Sequence, residues 1–435
     1  MFIILAILTI NSCSVINKDI RRTDMVLLEA ENSTDITVMP KIKQTPAYIV
    51  FKKTTKINLA EGTLSEMIKR DFSVSSNMRN LEYFALIKKK GRVLRRIEPY
   101  KLVFDQKTRQ GMSPSLLGSR LFLNIPPINP ELEIEIVASF EWVDLRWMDP
   151  VLLEEPEYTK TSQLNIKIPF GIEMHFQAAR KQPIDLTPVS TQIFKELWKN
   201  DPLSAGVGTN AAFSIKEDDS LDLNRDGLLQ MYLSFFTTSG SENFLSSFDS
   251  WESVSKFLYE RIDRLDFPSQ SIVAFTKADI ENEAHQKVIK IFEFLSDIQI
   301  FGGASDFKNQ SVQPASRTLL KKSGSAYDVV ILGKALLQSL NIPCEIMAFS
   351  DAILDHPPIK AFPTPAAFTK VLLLVKANDQ EYIFDPLAPK EYLENKRSPG
   401  HALPINAAGS GLVYFEEHPF TYEEIENIRS QSVGL

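Results

Sequence analysis

Residues 325–343 form the most clearly patterned segment of the chain, SAYDVVILGKALLQSLNIP. Ser325 is of a residue type that favours the N-cap position of a helix, and Pro343 is of a type that follows a helix end. Between them, apolar side chains recur every three or four positions, as on one face of an α-helix: Val329, Leu332, Leu336 and Leu340. We therefore predict a helix that begins directly after Ser325.

Helices precede this segment and strands follow it. Ser250 stands before one helical pattern, and Ala284–Leu295 carries a second apolar stripe. Short apolar runs predict strands at Cys344–Phe349, Val371–Val375 and Glu381–Phe384. Helices followed by an antiparallel set of strands are typical of an α+β domain. We place this domain at residues 246–395 and treat residues 396–435 as a C-terminal extension.

The chain before residue 240 has the pattern of strands. Leu132, Ile134 and Ile136 alternate with Glu133 and Glu135, which indicates a half-buried strand. Turn signals separate further short apolar or alternating runs, at 47–51, 81–87, 121–123 and 162–169. We predict an N-terminal antiparallel β-sandwich over residues 41–240, so that the fold is multidomain.

The composition excludes several classes of protein. Of the 435 residues, 44% are hydrophobic and 24% are charged, which is ordinary for a globular protein and excludes a multi-span membrane protein. The formal net charge of −7 disfavours a nucleic-acid partner, because a duplex-binding surface is basic. Two cysteines and five scattered histidines provide neither a disulfide framework nor a zinc cluster. We expect no metal and no cofactor.

One stretch has the beginning of a calcium-binding loop. Asp222, Asn224, Asp226 and Gly227 match the D-x-N-x-D-G pattern. Such a loop needs a bidentate carboxylate at its twelfth position, and Leu233 occupies that position. We interpret the stretch as a turn between two strands.

The N-terminal residues predict export and membrane attachment. The apolar run 1–10 is shorter than the ~20 residues that span a bilayer, but it fits the apolar part of a signal peptide. The sequence Ile-Asn-Ser-Cys at 10–13 resembles a bacterial lipobox, which implies that Cys13 is diacylated. Residues 1–12 are then a lipoprotein signal peptide and residues 13–40 a flexible polar tether. The alternative is an accidental apolar N-terminus with an inert thiol.

Such an anchor predicts a location in the bacterial cell envelope. We expect a membrane-anchored lipoprotein that faces the periplasm or the cell surface. The expected partner is the membrane, which the protein would contact through its N-terminal lipid anchor.

Five short motifs occur in order in the second half: Trp251, Ile291–Leu295, Thr318–Gly324, Leu340–Pro343 and Tyr382–Pro386. Their order and spacing resemble the transglutaminase-like domain of the papain-like superfamily. The first half resembles the β-rich domain of unknown function that precedes it in many bacterial envelope proteins. The resemblance covers residues 41 to about 410, most of the chain.

Active relatives carry a cysteine at the start of the helix, a histidine at the start of a strand and an aspartate on the next strand. On this resemblance the corresponding positions here are Ala326, Lys370 and Asp385, with Gly324 and Asp328 in register around the first. A methyl group cannot attack a carbonyl. A lysine side chain, with an ordinary pKa of about 10, is protonated at neutral pH and is no base. The resemblance therefore implies a catalytically degenerate triad and a pseudoenzyme.

The expected function is a lipid-anchored binding or scaffold module for a peptide, protein or glycan. The groove candidates are Ser325, Tyr327, Lys370 and Asp385, and we expect Lys370 and Asp385 to form an ion pair. A purely structural envelope spacer is a further alternative.

The alternative is that the protein is an enzyme and not a binding module: a residual hydrolase or peptidase-like enzyme that uses Ser325 with His356 and Asp385. We interpret Ser325 as a helix cap and Cys344 as a small buried hydrophobe instead. The remaining histidines have no visible catalytic partners in the sequence: His175, His285, His401 and His418.

Overall fold

The computed structural model describes residues 28–39, 47–59, 67–74, 77–100, 120–155, 158–180, 182–198, 201–216, 228–237, 247–266, 268–277, 283–300, 312–352, 357–378, 380–388 and 399–415. Several predictions concern residues outside these ranges: the signal peptide at 1–12, Cys13, the calcium-like stretch at 222–227, His356 and His418. No helix among the described ranges is long and apolar enough to cross a membrane.

The described part of the first half consists of strands. Their bounds are β1 Leu28–Met39, β2 Tyr48–Leu59, β3 Ile68–Ser73, β4 Met78–Lys89, β5 Arg92–Ile97, β6 Arg120–Ile125, β7 Glu133–Trp142, β8 Val151–Leu152, β9 Tyr158–Pro169, β10 Ile172–Ala179, β11 Pro183–Ile184, β12 Ser190–Trp198, β13 Asp201–Lys216 and β14 Gln230–Thr237. A short 3-10 turn at Leu145–Trp147 interrupts them.

The strands of the first half form three sheets. The largest has eight strands in the order β12-β13-β9-β1-β2-β7-β4-β5. A four-stranded sheet, β11-β10-β14-β8, and the pair β3-β6 are separate from it. The β-rich character predicted from the sequence, with several sheets, is confirmed. The pairing is antiparallel as predicted, except that β1 and β9 run parallel to each other.

Strand β1 corrects the predicted tether. Residues 28–39 are not a flexible segment but a central strand between β2 and β9. The inward positions of β1 are Ala30, Asn32, Thr34, Ile36 and Val38, and all five are buried. The polar Asn32 and Thr34 interrupt the apolar alternation, and for this reason the strand was not visible as a period-two pattern.

Both smaller sheets cover the same face of the eight-stranded sheet. Along β2, Ile49 belongs to the core shared with the four-stranded sheet, and Ile57 to the core shared with β3 and β6. Both residues have the same parity in the strand, so their side chains point to one face. The first half is therefore a layered structure with two cores at opposite ends of one sheet face.

The second half contains the three predicted helices, α1 Trp251–Ile262, α3 Ala284–Ser296 and α5 Ala326–Ser339. Two short helices of the described residues were not predicted, α2 Gln270–Thr276 and α4 Ala315–Lys321. Ser250 is the N-cap of α1, as predicted, and its side chain accepts a hydrogen bond from the Ser253 amide. A two-stranded ladder of β15 Gln299–Ile300 and β16 Ser323–Gly324 joins the loops around α4.

A five-stranded antiparallel sheet completes the second half. It consists of β17 Cys344–Asp351, β18 Lys370–Ala377, β19 Gln380–Phe384, β20 Gly400–Pro404 and β21 Val413–Phe415, in the order β19-β18-β17-β20-β21. The boundary predicted at residue 395 is therefore wrong, because β20 and β21 belong to this sheet and are no separate extension. Strands this short carry too few residues to show a period.

Helix α5 packs tightly on one face of this sheet. A Cβ atom at Gly333 would lie 2.7 Å from a Leu373 side-chain carbon, so a larger residue here would force that side chain to shift. The helix leads through Asn341–Pro343 into Cys344, which pairs with Val375 near the end of β18. The end of α5 therefore lies with the end of β18, and the start of α5 lies towards Lys370.

Trp147 of the first half belongs to the core of the second half. Its side chain is 2% exposed, and its ring lies 5.6 Å from that of Phe257 on α1. The guanidinium of Arg261 stacks over Trp147, and that of Arg146 stacks over Phe257. The two halves therefore share a packed junction around Trp147.

Candidate functional site

The start of helix α5 is built as a capping box. The Ser325 hydroxyl accepts a hydrogen bond from the Asp328 amide at 3.0 Å, and Asp328 Oδ2 accepts one from the Ser325 amide at 2.9 Å. Asp328 Oδ1 also accepts the Gln313 amide at 2.8 Å. Burial nevertheless outweighs these hydrogen bonds and raises the pKa of the Asp328 carboxyl. Ser325 is thus the helix cap that the sequence predicts.

The candidate nucleophile position lies inside the protein. Ala326 is 6% exposed and belongs to the same core as Trp251 and Phe368. Tyr327, a predicted groove residue, is also 6% exposed, and burial raises the pKa of its phenol. The structure therefore places these two residues in the core, where a ligand that binds at the protein surface does not contact them.

Lys370 lies between two carboxylates. Its Nζ atom donates a hydrogen bond to Asp351 Oδ2 at 3.2 Å and lies 3.7 Å from Asp385 Oδ2. The side chain of Asp351 is 1% exposed, that of Asp385 16% and that of Lys370 20%. The ion pair predicted between Lys370 and Asp385 is present, and Asp351 extends it to a cluster of three charges.

The strand register explains this cluster. Lys370 begins β18 directly opposite Phe349 on β17, and Asp351 ends β17 on the same face as Phe349. Asp385 follows the last residue of β19, the neighbour of β18 on its other side. Three strand ends therefore bring the three side chains together at one corner of the sheet.

The cluster and helix α5 lie on different faces of the sheet. Alternation along β18 places Lys370 with Leu372 and Leu374, whereas the core beneath the helix contains Val371 and Leu373. The ammonium is therefore held by carboxylates of its own sheet. In a working triad the base and the nucleophile are within hydrogen-bond reach of each other, whereas Lys370 and helix α5 lie on different faces of the sheet.

Asp351 was not predicted from the sequence. It follows the predicted strand Cys344–Phe349 by two residues, and a carboxylate near the end of a strand was the available signal in the sequence. Its partner Lys370 is far along the chain, so that only the strand pairing brings them together.

The other reactive side chains are engaged elsewhere. The thiol of Cys344 donates a weak hydrogen bond to the Lys334 carbonyl at 3.8 Å, and burial raises its pKa to about 12. His285 Nδ1 lies 2.6 Å from the Tyr382 hydroxyl, and His175 pairs with Glu173 on the surface. Burial lowers the pKa of His401 on β20. None of these groups joins the Lys370 cluster.

No family model matches the sequence, and no curated protein matches it. A similar solved structure is that of a "putative protease" from Parabacteroides distasonis ATCC 8503. It has a TM-score of 0.60 and 12% identity, and the match covers 91% of this chain and 72% of the other. At this identity the likeness shows a shared fold alone, and it extends over both halves of the protein.

Two further structures match with much lower TM-scores. A "putative cysteine protease" from Cytophaga hutchinsonii has a TM-score of 0.21 at 12% identity, covering 85% of this chain and 86% of the other. A "putative nutrient binding protein" from Legionella pneumophila has a TM-score of 0.22 at 9% identity, covering 72% and 94%. Neither likeness is close enough to carry an argument.

Proposed function

We propose that the protein is a catalytically inactive, transglutaminase-like, lipid-anchored envelope protein that acts as a binding or scaffold module for a peptide, protein or glycan. The observation that carries this proposal is the Lys370 cluster. The resemblance to the transglutaminase-like domain aligns Lys370 with the catalytic base, and its ammonium is bound to Asp351 and Asp385.

The side chains at the candidate site support the loss of catalytic activity. An ammonium between two carboxylates has no lone pair to accept a proton. At the start of helix α5, Ala326 offers only a methyl group. The Ser325 hydroxyl accepts a helix amide, as an N-cap does, and this contact holds it in a structural role. The alternative of a serine-dependent hydrolase has no contact in its favour among the described residues.

The binding role follows from what remains partly exposed. Lys370 and Asp385 are the two groove candidates that reach the surface, and with Asp351 they form a cluster of net charge −1. Such a cluster offers hydrogen-bond acceptors to a polar partner. The expected occupant is a segment of peptide, protein or glycan that donates hydrogen bonds.

A labelling experiment tests whether the protein has lost its catalytic activity. The full-length protein is treated with a fluorophosphonate and with iodoacetamide, and the modified residues are identified by mass spectrometry. We expect no labelling at Ser325, whereas alkylation of Cys344 after unfolding in guanidinium provides the positive control for the thiol reagent. Proteolysis of casein and amine incorporation into casein are measured in parallel and should not exceed the blank.

Activity that depends on Ser325 would overturn the proposal. The variant Ser325→Ala identifies such activity, and Ser323→Ala, a serine of the same stretch that does not cap the helix, is the matched control. Because Ser325→Ala also removes a cap worth about 1 kcal/mol, its folding is checked by thermal unfolding.

The lipid anchor is tested by cell fractionation. We expect the full chain, expressed in a bacterium that exports lipoproteins, to be found with the membranes, and Cys13→Ala to be released. Equal membrane binding by the Cys13→Ala variant would contradict the anchor. The binding role is tested on peptide and glycan arrays with Asp385→Asn as the comparison. If no ligand of the intact protein depends on Asp385, the cluster is not the binding site.

A further inference from the structure

Strand β2 has polar residues on a face where a core is expected. The apolar residues Ile49 and Ile57 point to the covered face of the sheet, but Lys53 and Thr55 stand between them with the same parity. They lie where the core of the four-stranded sheet ends and that of the β3-β6 pair begins. A local break in an otherwise consistent pattern is typical of a functional site.

A cavity of about 440 Å³ lies at this break. Its floor is the eight-stranded sheet, where Ala138 on β7 lies opposite Lys53 of β2 on one side and Tyr83 of β4 on the other. Residues of β3 and the segment Met148–Leu152 form its sides. Since a cavity of about 150 Å³ holds one benzene molecule, this volume corresponds to a ligand of about three rings.

The side chains that line the cavity are mostly apolar, and several of them are aromatic. The aromatic ones are Phe51, Phe72, Tyr83, Phe140 and Trp142. Phe51 stacks on Phe140 with 4.7 Å between ring centroids, and the Phe72 ring lies 5.1 Å from that of Tyr83. Rings in this arrangement offer stacking and edge contacts to the rings of a ligand.

The charges at the floor of the cavity are paired with each other. Lys53 Nζ contacts Glu155 Oε1 at 2.5 Å and donates to the Leu152 carbonyl at 3.0 Å. The Thr55 hydroxyl lies 3.3 Å from the same Oε1 atom and donates to Asn32 Oδ1 at 2.8 Å. The ammonium and the carboxylate therefore neutralise each other.

The charges at the sides of the cavity are engaged as well. Asp71 is exposed, and the alternation along β3 turns its side chain away from that of Phe72, whose ring lines the cavity. Arg70 donates from Nη1 to the Lys69 carbonyl at 3.0 Å, and its Nε atom is buried. Arg70, Asp71 and Asp149 each have further interactions within the protein. Every charged group among the described lining residues is thus engaged by the protein itself.

This pairing disfavours a charged ligand of either sign. A charge that enters the cavity loses its hydration, and it gains no uncompensated opposite charge in return. An uncharged ligand with an apolar body loses little hydration and gains the contacts with the aromatic rings.

We propose that this cavity binds an uncharged small molecule with an apolar body of about three rings. The aromatic side chains contact this body, and the neutral pair of Lys53 and Glu155 lies beneath it. The site is in the first half of the protein and does not depend on the function proposed for the Lys370 cluster.

A pair of fluorescent probes tests the proposal on the full-length protein. N-phenylnaphthylamine is uncharged and has three aromatic rings, and anilinonaphthalene sulfonate has the same rings with an added anionic group. Because Trp142 lines the cavity, probe emission that is excited through tryptophan reports binding beside it. We expect the uncharged probe to bind about tenfold more tightly than the sulfonate. Equal affinities, a preference for the sulfonate, or no binding of the uncharged probe would overturn the proposal.

Substitutions of Ala138 locate the binding. Ala138→Phe adds a ring at the floor of the cavity and should abolish the binding of the uncharged probe. Ala138→Leu adds a smaller side chain and should weaken binding several-fold, which provides the test if the phenylalanine variant does not fold. Ala407→Phe adds the same ring at an exposed alanine of the second half and is the matched control. Undiminished binding by a folded variant at Ala138 would overturn the site.

Glu155→Gln tests whether the pairing of charges excludes an anion. The glutamine has nearly the shape of glutamate but leaves the Lys53 ammonium without its counter-charge. The sulfonate should therefore gain several-fold in affinity relative to the uncharged probe. Glu173→Gln, at a carboxylate on the surface of β10, is the matched control and should leave the ratio of the two affinities unchanged. An unchanged ratio in a folded Glu155→Gln variant would overturn the choice of an uncharged ligand.

Discussion

Lys370 Nζ lies 3.2 Å from the Oδ2 atom of Asp351, a carboxylate that is 1% exposed at the end of the neighbouring strand. The contact to Asp385, the residue that the sequence marked, is longer at 3.7 Å and more exposed. The Lys370 ammonium therefore lies closer to a buried carboxylate that the sequence did not predict than to the carboxylate of Asp385.

Asp351→Asn should lower the free energy of unfolding by about 1.5–3 kcal/mol, because it removes the negative charge from a buried acceptor that pairs with an ammonium. Asp385→Asn should cost less than about 1 kcal/mol, because its contact to Lys370 is longer and partly exposed. The asparagine at 385 can also still accept the Leu387 amide, which Asp385 Oδ1 accepts at 2.8 Å. Urea unfolding of the two variants measures the difference. A larger effect at Asp385 would contradict the assignment of Asp351 as the main partner.

The buried pair of Arg180 and Glu154 should be the strongest ionic contribution to the first half. Both guanidinium Nη atoms contact the carboxylate, at 2.6 and 2.5 Å, and Glu154 also accepts the Leu229 amide. Arg180→Met leaves a carboxylate that is 1% exposed without its cation, so we expect a loss of about 3–5 kcal/mol in chemical unfolding.

The surface pair of Arg79 and Glu141 is the control for this prediction. Its contact distance is 2.5 Å, but the side chains are 42% and 21% exposed, so Arg79→Met should cost no more than about 1 kcal/mol. Similar decreases in the free energy of unfolding for Arg180→Met and Arg79→Met would show that burial does not determine how much an ion pair contributes to stability.

Much of the second half could be predicted because its signals are local. The capping serines Ser250 and Ser325 and the apolar stripes of α3 and α5 lie within single helices, and the structure places the helices there. The first strands of the sheet were likewise visible as continuous apolar runs, since they are buried on both faces.

The parts that were missed depend on contacts between distant segments. Strand β1 was taken for a tether because Asn32 and Thr34 occupy inward positions, and their burial is explained only by partners such as Thr55 on β2. Asp351 became part of the candidate site only through the pairing of β17 with β18. A cavity beside Lys53 is lined by residues of β2, β3 and β8, which belong to three different sheets, and no local pattern predicts how these sheets are placed together.

His401 should make stability depend on pH. Burial lowers its pKa, so the folded protein favours the neutral imidazole, and Nδ1 is buried with no hydrogen-bond partner among the described residues. A lowered folded-state pKa contributes stability above the unfolded value of about 6.5, and this stability is lost as the pH falls through the folded-state pKa. His401→Gln should therefore reduce the loss of stability between neutral pH and about pH 5, measured by urea unfolding at each pH.

The exposed His175 is the control for the pH prediction. Its ring lies on the surface beside Glu173, and His175→Gln provides the matched substitution, measured in the same way. An equal effect of the two substitutions would show that burial of His401 is not the cause.

Cys344 should resist alkylation in the folded protein. Burial raises its pKa to about 12, so that almost no thiolate is present at pH 8, and the thiolate is the form that reacts. We expect iodoacetamide to modify Cys344 only after unfolding in guanidinium, as followed by mass spectrometry of the peptide. Rapid modification of the native protein at this residue would contradict the prediction.

Trp147 should couple the two halves of the protein. Its ring is contributed by the first half but is buried in the core of the second, against Phe257 and beneath Arg261. Trp147→Ala should lower the free energy of unfolding by about 3–5 kcal/mol and should destabilise the second half. Hydrogen exchange of α1 measures this effect, because α1 carries Phe257 and Arg261. Trp142, which lies in the first-half core, provides the comparison: Trp142→Ala should increase exchange in the eight-stranded sheet first. If Trp147→Ala left the exchange of α1 unchanged, the junction at Trp147 would not stabilise the second half.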